Sequence, residues 1–232
     1  MPPRALEPAG VALVDKPAGP SSFAIVAQIR RMTGARTGHA GTLDPFATGL
    51  LLVLSGQATK LAPCLVGLDK RYLTDVDLTV RTSTGDPKGE VIERLEPPDA
   101  AELERRLAGL RGEVELPVPA ASAVKIGGER AYRLARRGVE VEMPTRRSTV
   151  YALDVITYTG DRTAVEAVTL DARVGSGTYV RSIASALGGH CRTLRRTEVG
   201  PFSVGDAVPP EAFEPKLLLS EEAVLARLEA VA

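Results

Sequence analysis

The chain has 232 residues, of which 44% are hydrophobic and 25% charged, with 29 basic side chains balanced by 29 acidic ones. A chain of this size buries roughly 72% of its extended-chain surface on folding, and the composition argues against disordered and disulfide-dense classes. Cys64 and Cys191 stand far apart with no C-x-x-C, which predicts two reduced thiols in a cytoplasmic protein and argues against structural zinc.

The longest apolar run, Leu50 to Leu54, is five residues, against about twenty for a membrane-spanning helix. The first residues, Met-Pro-Pro-Arg-Ala-Leu-Glu-Pro, lack the apolar stretch of a secretory signal. Zero net charge argues against a generic polyanion binder unless the charges are segregated along the chain. Lys125 to Arg147 holds seven basic residues and three acidic, followed later by Arg192, Arg195 and Arg196. Asp86 to Glu104 holds two basic and seven acidic, and the stretch from Asp206 onward two and six. The pattern fits either a basic face or ordinary solvated helix faces.

In chain order, Val11 to Asp15 predicts a short strand and Lys16-Pro17-Ala18-Gly19-Pro20 a turn. A helix follows, capped by Ser21 or Ser22, with Ile25, Val26, Ile29 and Met32 at helical spacing and Gly34 as its stop. Ala35 to Thr48 has neither period and reads as a loop opening onto the buried strand Leu50 to Leu54. Ala58, Leu61, Ala62 and Leu65 predict a second helix. Tyr72, Thr74, Val76, Leu78 and Val80 then alternate with polar residues as a strand with one inner face. Asp99 and Glu102 resemble a capping box before a helix carrying Leu103, Leu107 and Leu110, and Pro117 and Pro119 end that stretch. Val150 to Tyr158 and Val165 to Val174 read as strands of a hairpin turning at Thr159-Gly160-Asp161. Gly175-Ser176-Gly177-Thr178 is positioned to cap a helix with Val180, Ile183, Ala184 and Leu187 on one face, Arg181 pointing away from that stripe, and Gly188-Gly189 as its stop. A last helix from about Ser220 carries Val224, Leu225, Leu228 and Val231. The elements make an α+β chain with a mixed, mainly antiparallel central sheet flanked by helices.

Two stretches carry unusual chemistry. Gly38-His39-Ala40-Gly41-Thr42-Leu43-Asp44-Pro45-Phe46-Ala47-Thr48-Gly49 combines three glycines, which let backbone approach a ligand, with one carboxylate near its tip. Asp44 there is either functional or the acceptor of a tight Asx-turn. Gly177-Thr178-Tyr179-Val180-Arg181 places an aromatic ring and a fixed cation at the mouth of a helix.

Val14-Asp15-Lys16-Pro17 with Gly19, Ser21 and Ser22, then Gly38 to Gly49, then Lys70-Arg71-Tyr72, then Gly177 to Arg181 occur in the order found in the TruB family of tRNA pseudouridine-55 synthases, and the chain resembles that family over nearly its whole length. The run G-H-A-G-T-L-D-P-x-A-T-G-L-L is highly specific. The resemblance implies the pseudouridine synthase fold and isomerisation of a uridine in the T arm of tRNA, with no cofactor and no metal. It implies Asp44 as the catalytic carboxylate, acting as nucleophile or as base toward the sugar, and Arg181 as the arginine that pairs with it, which favours the ionised form. Tyr72 resembles the catalytic tyrosine that stacks on the flipped base and is a candidate acceptor of the C5 proton; stacking is worth about 1 to 3 kcal/mol against the few kcal/mol that flipping costs. Without the resemblance, Tyr72 reads as core beside Val76 and Leu78. Tyr179 and Leu194 resemble the residues that complete the uracil pocket, His39 the histidine that fills space near the displaced base, and Lys16 a support for the loop. Lys125, Arg130, Arg133, Arg136 and Arg137 fall in a thumb-like segment, about residues 120–147, that grips RNA in the family.

Two features depart from the family pattern. The segment between Leu187 and Leu194 is several residues short, which bears on the alignment of Leu194, and many members continue beyond the position of Ala232 into a C-terminal RNA-binding domain of PUA type. The expectation is a single catalytic domain over 1–232 with a short acidic tail and no full PUA domain, a monomer whose partner is the tRNA T-arm stem-loop and which engages no membrane. The competing reading is an RNA-folding chaperone with catalysis secondary or lost. A carboxylate glycosidase would require a second acid near Asp44, and none stands in a recognisable block.

Overall fold

Leu50-Leu51-Leu52-Val53-Leu54 is apolar at successive positions, so both faces of the strand it forms must be covered. The computed structural model describes residues 8–122, 124–126, 128–131 and 143–230 and shows that strand covered on both sides. In chain order the elements are β1 (Gly10–Lys16), α1 (Ser22–Thr33), β2 (Thr37–His39), β3 (Thr48–Ser55), α2 (Ala62–Gly67), β4 (Lys70–Asp77), β5 (Val80–Thr82), β6 (Val91–Arg94), α3 (Ala100–Gly109) and β7 (Gly112–Pro117). There follow β8 (Lys125–Ile126), β9 (Glu129–Arg130), β10 (Thr145–Asp161), β11 (Ala164–Val174), α4 (Val180–Ala186), β12 (His190–Val199), β13 (Phe202–Ser203) and α5 (Glu221–Glu229). The sheet is mixed and mainly antiparallel, as the sequence predicts. No described helix is long and apolar enough to cross a membrane.

The chain forms two units, 1–72 with 195–232, and 73–194, and it passes from one to the other within β4 and within β12. In the first, β3 is flanked by β1, antiparallel along its whole length, and by a short parallel pairing with β12 in which Arg196 stands opposite Gly49. Leu50, Leu52 and Leu54 pack with Val11, Leu13, Leu65, Phe202 and Val224, while α1 packs on β2 and β3. Ser21 caps α1 by accepting from the Ala24 amide, and Gly34 ends it at φ 69°, both as the sequence predicts. Met32 leaves the predicted stripe and lies exposed, because the stripe narrows to Ile25, Val26 and Ile29 where α1 meets the sheet. The predicted loop 35–48 also contains β2, which pairs antiparallel with the end of β3. Three residues, one of them glycine, are too few to show a period, and the strand exists through its partner.

The second unit has the strand order β12-β4-β11-β10-β7. β10 and β11 form the predicted hairpin, but Thr159-Gly160-Asp161 continue β10 and the turn falls at Arg162-Thr163, because the Asp161 carboxylate accepts from the amides of Thr163 and Ala164 and closes the chain there. α3 packs on β11 and α4 on β7. The strand β7 lies in the segment that the sequence reading assigned no element, where its Val114 and Leu116 offer only two inward positions. β8 pairs with β9, and β5 with β6, as isolated two-stranded ribbons.

Candidate active site

Asp44 sits half-buried in the loop between β2 and β3, and the first unit holds that loop by backbone-directed contacts on both sides. Ser22, the first residue of α1, donates its hydroxyl to the Leu43 carbonyl and accepts from the Leu43 amide, both at 2.8 Å, fixing the residue before Asp44. The Gly19 amide donates to the Pro45 carbonyl at 2.7 Å. Lys16, fully buried at the end of β1, donates its ammonium to the carbonyls of Ala47 at 2.6 Å, Pro17 at 2.8 Å and Pro45 at 3.3 Å. The turn itself is closed by the Ala47 amide donating to the Asp44 carbonyl at 3.1 Å.

Around this loop the same unit gathers cations. Arg196 is 1% exposed, its Nε donating to the Leu50 carbonyl at 2.7 Å and its Nη2 to the Gly41 carbonyl at 3.0 Å. Lys70, buried at the start of β4, donates to the carbonyls of Val66 at 2.6 Å and of Leu68. Burial, and then the charge of Arg196, lower the Lys70 pKa to about 8, with Asp69 opposing. The same two causes in the same order hold His39 below its ordinary value, and its Nδ1 is buried with no hydrogen-bond partner among the described residues. Tyr72 lies buried on the inner face of β4, between Lys70 and Thr74 in the alternation.

The second unit carries the other candidates. Tyr179, half-buried, is the residue before α4, and Arg181 lies in the first turn of that helix. The sequence places Arg181 away from the apolar stripe, yet it is 2% exposed. Its guanidinium donates to the carbonyls of Thr84 at 2.8 Å and Ala121 at 2.9 Å, and stands 3.7 Å from the Asp86 carboxylate. Asp86 is itself fixed by the Thr84 hydroxyl and the Lys88 amide. The cap expected from Gly175-Ser176-Gly177-Thr178 does not form: the N-cap is Tyr179 with no side-chain cap bond, and the Thr178 hydroxyl is buried with no partner among the described residues. Leu194 is buried on β12. Of the proposed RNA-gripping residues, Lys125 and Arg130 stand opposite one another in the β8–β9 ribbon. Arg133, Arg136 and Arg137 lie outside the described residues.

Residues 30–180 match the family model for the TruB family pseudouridylate synthase N-terminal domain. The chain belongs to the TruB pseudouridylate synthase family. Among TruB relatives it is similar to a protein of Leifsonia xyli named tRNA pseudouridine synthase B, 42% identical over 224 residues that make up 90% of this chain and 73% of that protein. A Corynebacterium jeikeium protein of the same name is 40% identical over 96% of this chain and 77% of its own. Among solved structures, a chain of a Cbf5-Nop10-Gar1 complex superposes with a TM-score of 0.62 at 28% identity, over 84% of this chain. A chain from an H/ACA RNP bound to a substrate RNA superposes with a TM-score of 0.63 at 23% identity, a likeness of fold. This chain spans about half the length of both of those chains.

For this TruB member, sequence reasoning passed over Ser22 as a loop clamp, Asp86 as a carboxylate beside Arg181, and Lys70 and Arg196 as buried cations. Ser22 was visible as one of two cap candidates and as part of the first family block, with nothing to link it to Leu43. Asp86 had a trace in the turn-like Ser83-Thr84-Gly85-Asp86-Pro87, but arginines and lysines are expected at the surface.

Proposed function

We propose that this chain binds the T arm of tRNA and isomerises uridine 55 to pseudouridine. The N1–C1′ glycosidic bond breaks, the uracil rotates, C5 bonds to C1′, C5 gives up its proton and N1 gains one, so the product has the composition of the substrate. Asp44 is the reacting carboxylate, as nucleophile at C1′ or as base on the sugar, and both roles need it ionised. Arg181 supplies the charge that favours that form. Tyr72 stacks on the flipped base and takes the C5 proton, Tyr179 and Leu194 complete the uracil pocket, His39 occupies space near the displaced base, and Lys16 supports the loop. Lys125, Arg130, Arg133, Arg136 and Arg137 engage phosphates, and the protein works as a monomer in the cytoplasm.

The observation that carries this reading is the Gly38–Gly49 block, in which the Asp44 turn is clamped by Ser22 on one side and Lys16 on the other. Clamps of this kind limit the motion of a carboxylate that must meet one atom, the preorganisation that reactions at a fixed centre need. The fixed setting of Arg181 between the Thr84 and Ala121 carbonyls supports its role in the same way.

The test is pseudouridine mapping in a T-arm stem-loop incubated with purified protein. Asp44→Asn is expected to form none while binding the stem-loop as before, and Arg181→Ala to slow a single turnover far more than it weakens binding. Undiminished pseudouridine from Asp44→Asn would overturn the reading. A chaperone would remodel the arm equally well with either side chain at position 44.

A further inference from the structure

We propose that Arg196 is a positioning residue for the reaction, its buried guanidinium joining the two shoulders of the Asp44 loop through the carbonyls of Gly41 and Leu50. The inference rests on the proposed function of that loop. Arg195 and Arg196 are neighbours on β12, and strand alternation sends them to opposite faces. Arg195 makes a conventional pair, its guanidinium bridging both oxygens of Asp15 at 3.0 and 2.8 Å with its side chain 40% exposed. Arg196 points inward, and among the described residues it has carbonyl partners and no carboxylate.

Burying a guanidinium without a counter-ion is costly unless oriented dipoles replace water. Here one carbonyl belongs to Gly41, three residues before Asp44, and the other to Leu50, six residues after it. The planar fork of arginine holds both from one fixed plane through two different nitrogens, Nε and Nη2, whereas a lysine offers a single nitrogen on a flexible stem. The backbone is fitted to this arrangement. At Gly49, φ is +100° and an added Cβ would lie 2.2 Å from the Arg196 carbonyl oxygen. At Gly41 an added Cβ would meet the guanidinium at 3.4 Å. The charge also reaches the neighbouring side chains, since it contributes to the lowered pKa of both His39 and Lys70. Lys16 and Ser22 hold the tip of the loop, and Arg196 holds its base.

The experiment compares wild type with Arg196→Met and Arg196→Lys in three measurements: single-turnover pseudouridine formation, stem-loop affinity, and the titration of His39 by NMR. The chain has two histidines, so the His39 resonance is assignable by a His190→Gln variant. Because a misplacement of about 1 Å can cost about a hundredfold in rate, Arg196→Met is expected to slow turnover at least tenfold with affinity within twofold, and to raise the His39 pKa toward 6.5. Arg196→Lys keeps the charge but loses the planar fork that spans the two carbonyls, so it is expected to leave His39 low while still slowing turnover. Full turnover in both variants, or equal losses of rate and affinity, overturns the proposal. An inactive wild type overturns the functional reading itself, whereas an active wild type with unimpaired variants overturns the role of Arg196 alone.

Discussion

Lys70 shows what a single buried cation does to the energetics of this fold. Its ammonium meets the Val66 and Leu68 carbonyls, and burial followed by the Arg196 charge brings its pKa down from 10.5 to about 8. Between those two values the unfolded chain binds more protons than the folded one, so this residue's contribution to stability rises with pH. Below about pH 8 both states are protonated and the penalty of burying the charge is felt in full; by about 10.5 it has been relieved. In paired urea denaturations at pH 7.5 and 10, wild type is therefore expected to gain stability relative to Lys70→Met at the higher pH, and a constant difference would contradict this. Lys16, Lys70, Arg181 and Arg196 all escaped recognition as buried groups for the same reason. Residue type predicts exposure because burying a lone charge is costly, and what offsets that cost here is a set of carbonyls, two and four residues away for Lys70 and mostly distant in sequence for Lys16, Arg181 and Arg196. The candidates Asp44, Tyr72 and Arg181 were legible because the motifs around them are specific, not because their burial could be read.

The elements differ in how their ends are secured, and the consequences can be ranked. Asp99 caps α3 by accepting from the Glu102 amide at 2.7 Å. The reciprocal half of the predicted capping box is replaced by ion pairs from Glu102 to Arg105 and Arg106. Losing such a cap costs about 1 kcal/mol. Ser22 serves a different purpose, since Ser22→Ala would leave both the amide and the carbonyl of Leu43 without their partner, and each buried unpaired group costs roughly 1 to 3 kcal/mol. Ser22→Ala is thus expected to destabilise more than Asp99→Ala in urea unfolding, and to slow pseudouridine formation where Asp99→Ala leaves it intact. Equal effects on stability would place Ser22 in the capping class. Strong periods or clear punctuation made β1, α1, β3, the β10–β11 hairpin and α5 legible. By contrast β2, β5, β6 and β7 are short, and strands of that length take their identity from the partner that accepts their hydrogen bonds.

At the scale of the whole molecule, a chain of zero net charge is assigned a polyanionic partner, and the segregation of charge along the sequence makes that consistent. Each phosphate neutralised should steepen the fall of affinity with salt by a log–log slope of about 0.7 to 0.9. Replacing Arg133, Arg136 and Arg137 together by alanine is expected to reduce that slope by about 2 to 3 in filter binding between 50 and 200 mM salt; an unchanged slope would remove them from the RNA contact. The sequence by itself determined the family, the mixed α+β class and the residues with chemistry to offer, because motifs and local periods are properties of contiguous segments. Tertiary structure alone decided which cations are buried and how the Asp44 loop is held. It also set the two passages of the chain between units, within β4 and within β12. The physical reason is separation along the chain. The bonds that fix the loop join Ser22 to Leu43, 21 residues apart, and Arg196 to Gly41, 155 residues apart, and no local pattern carries information about a partner that only folding brings near.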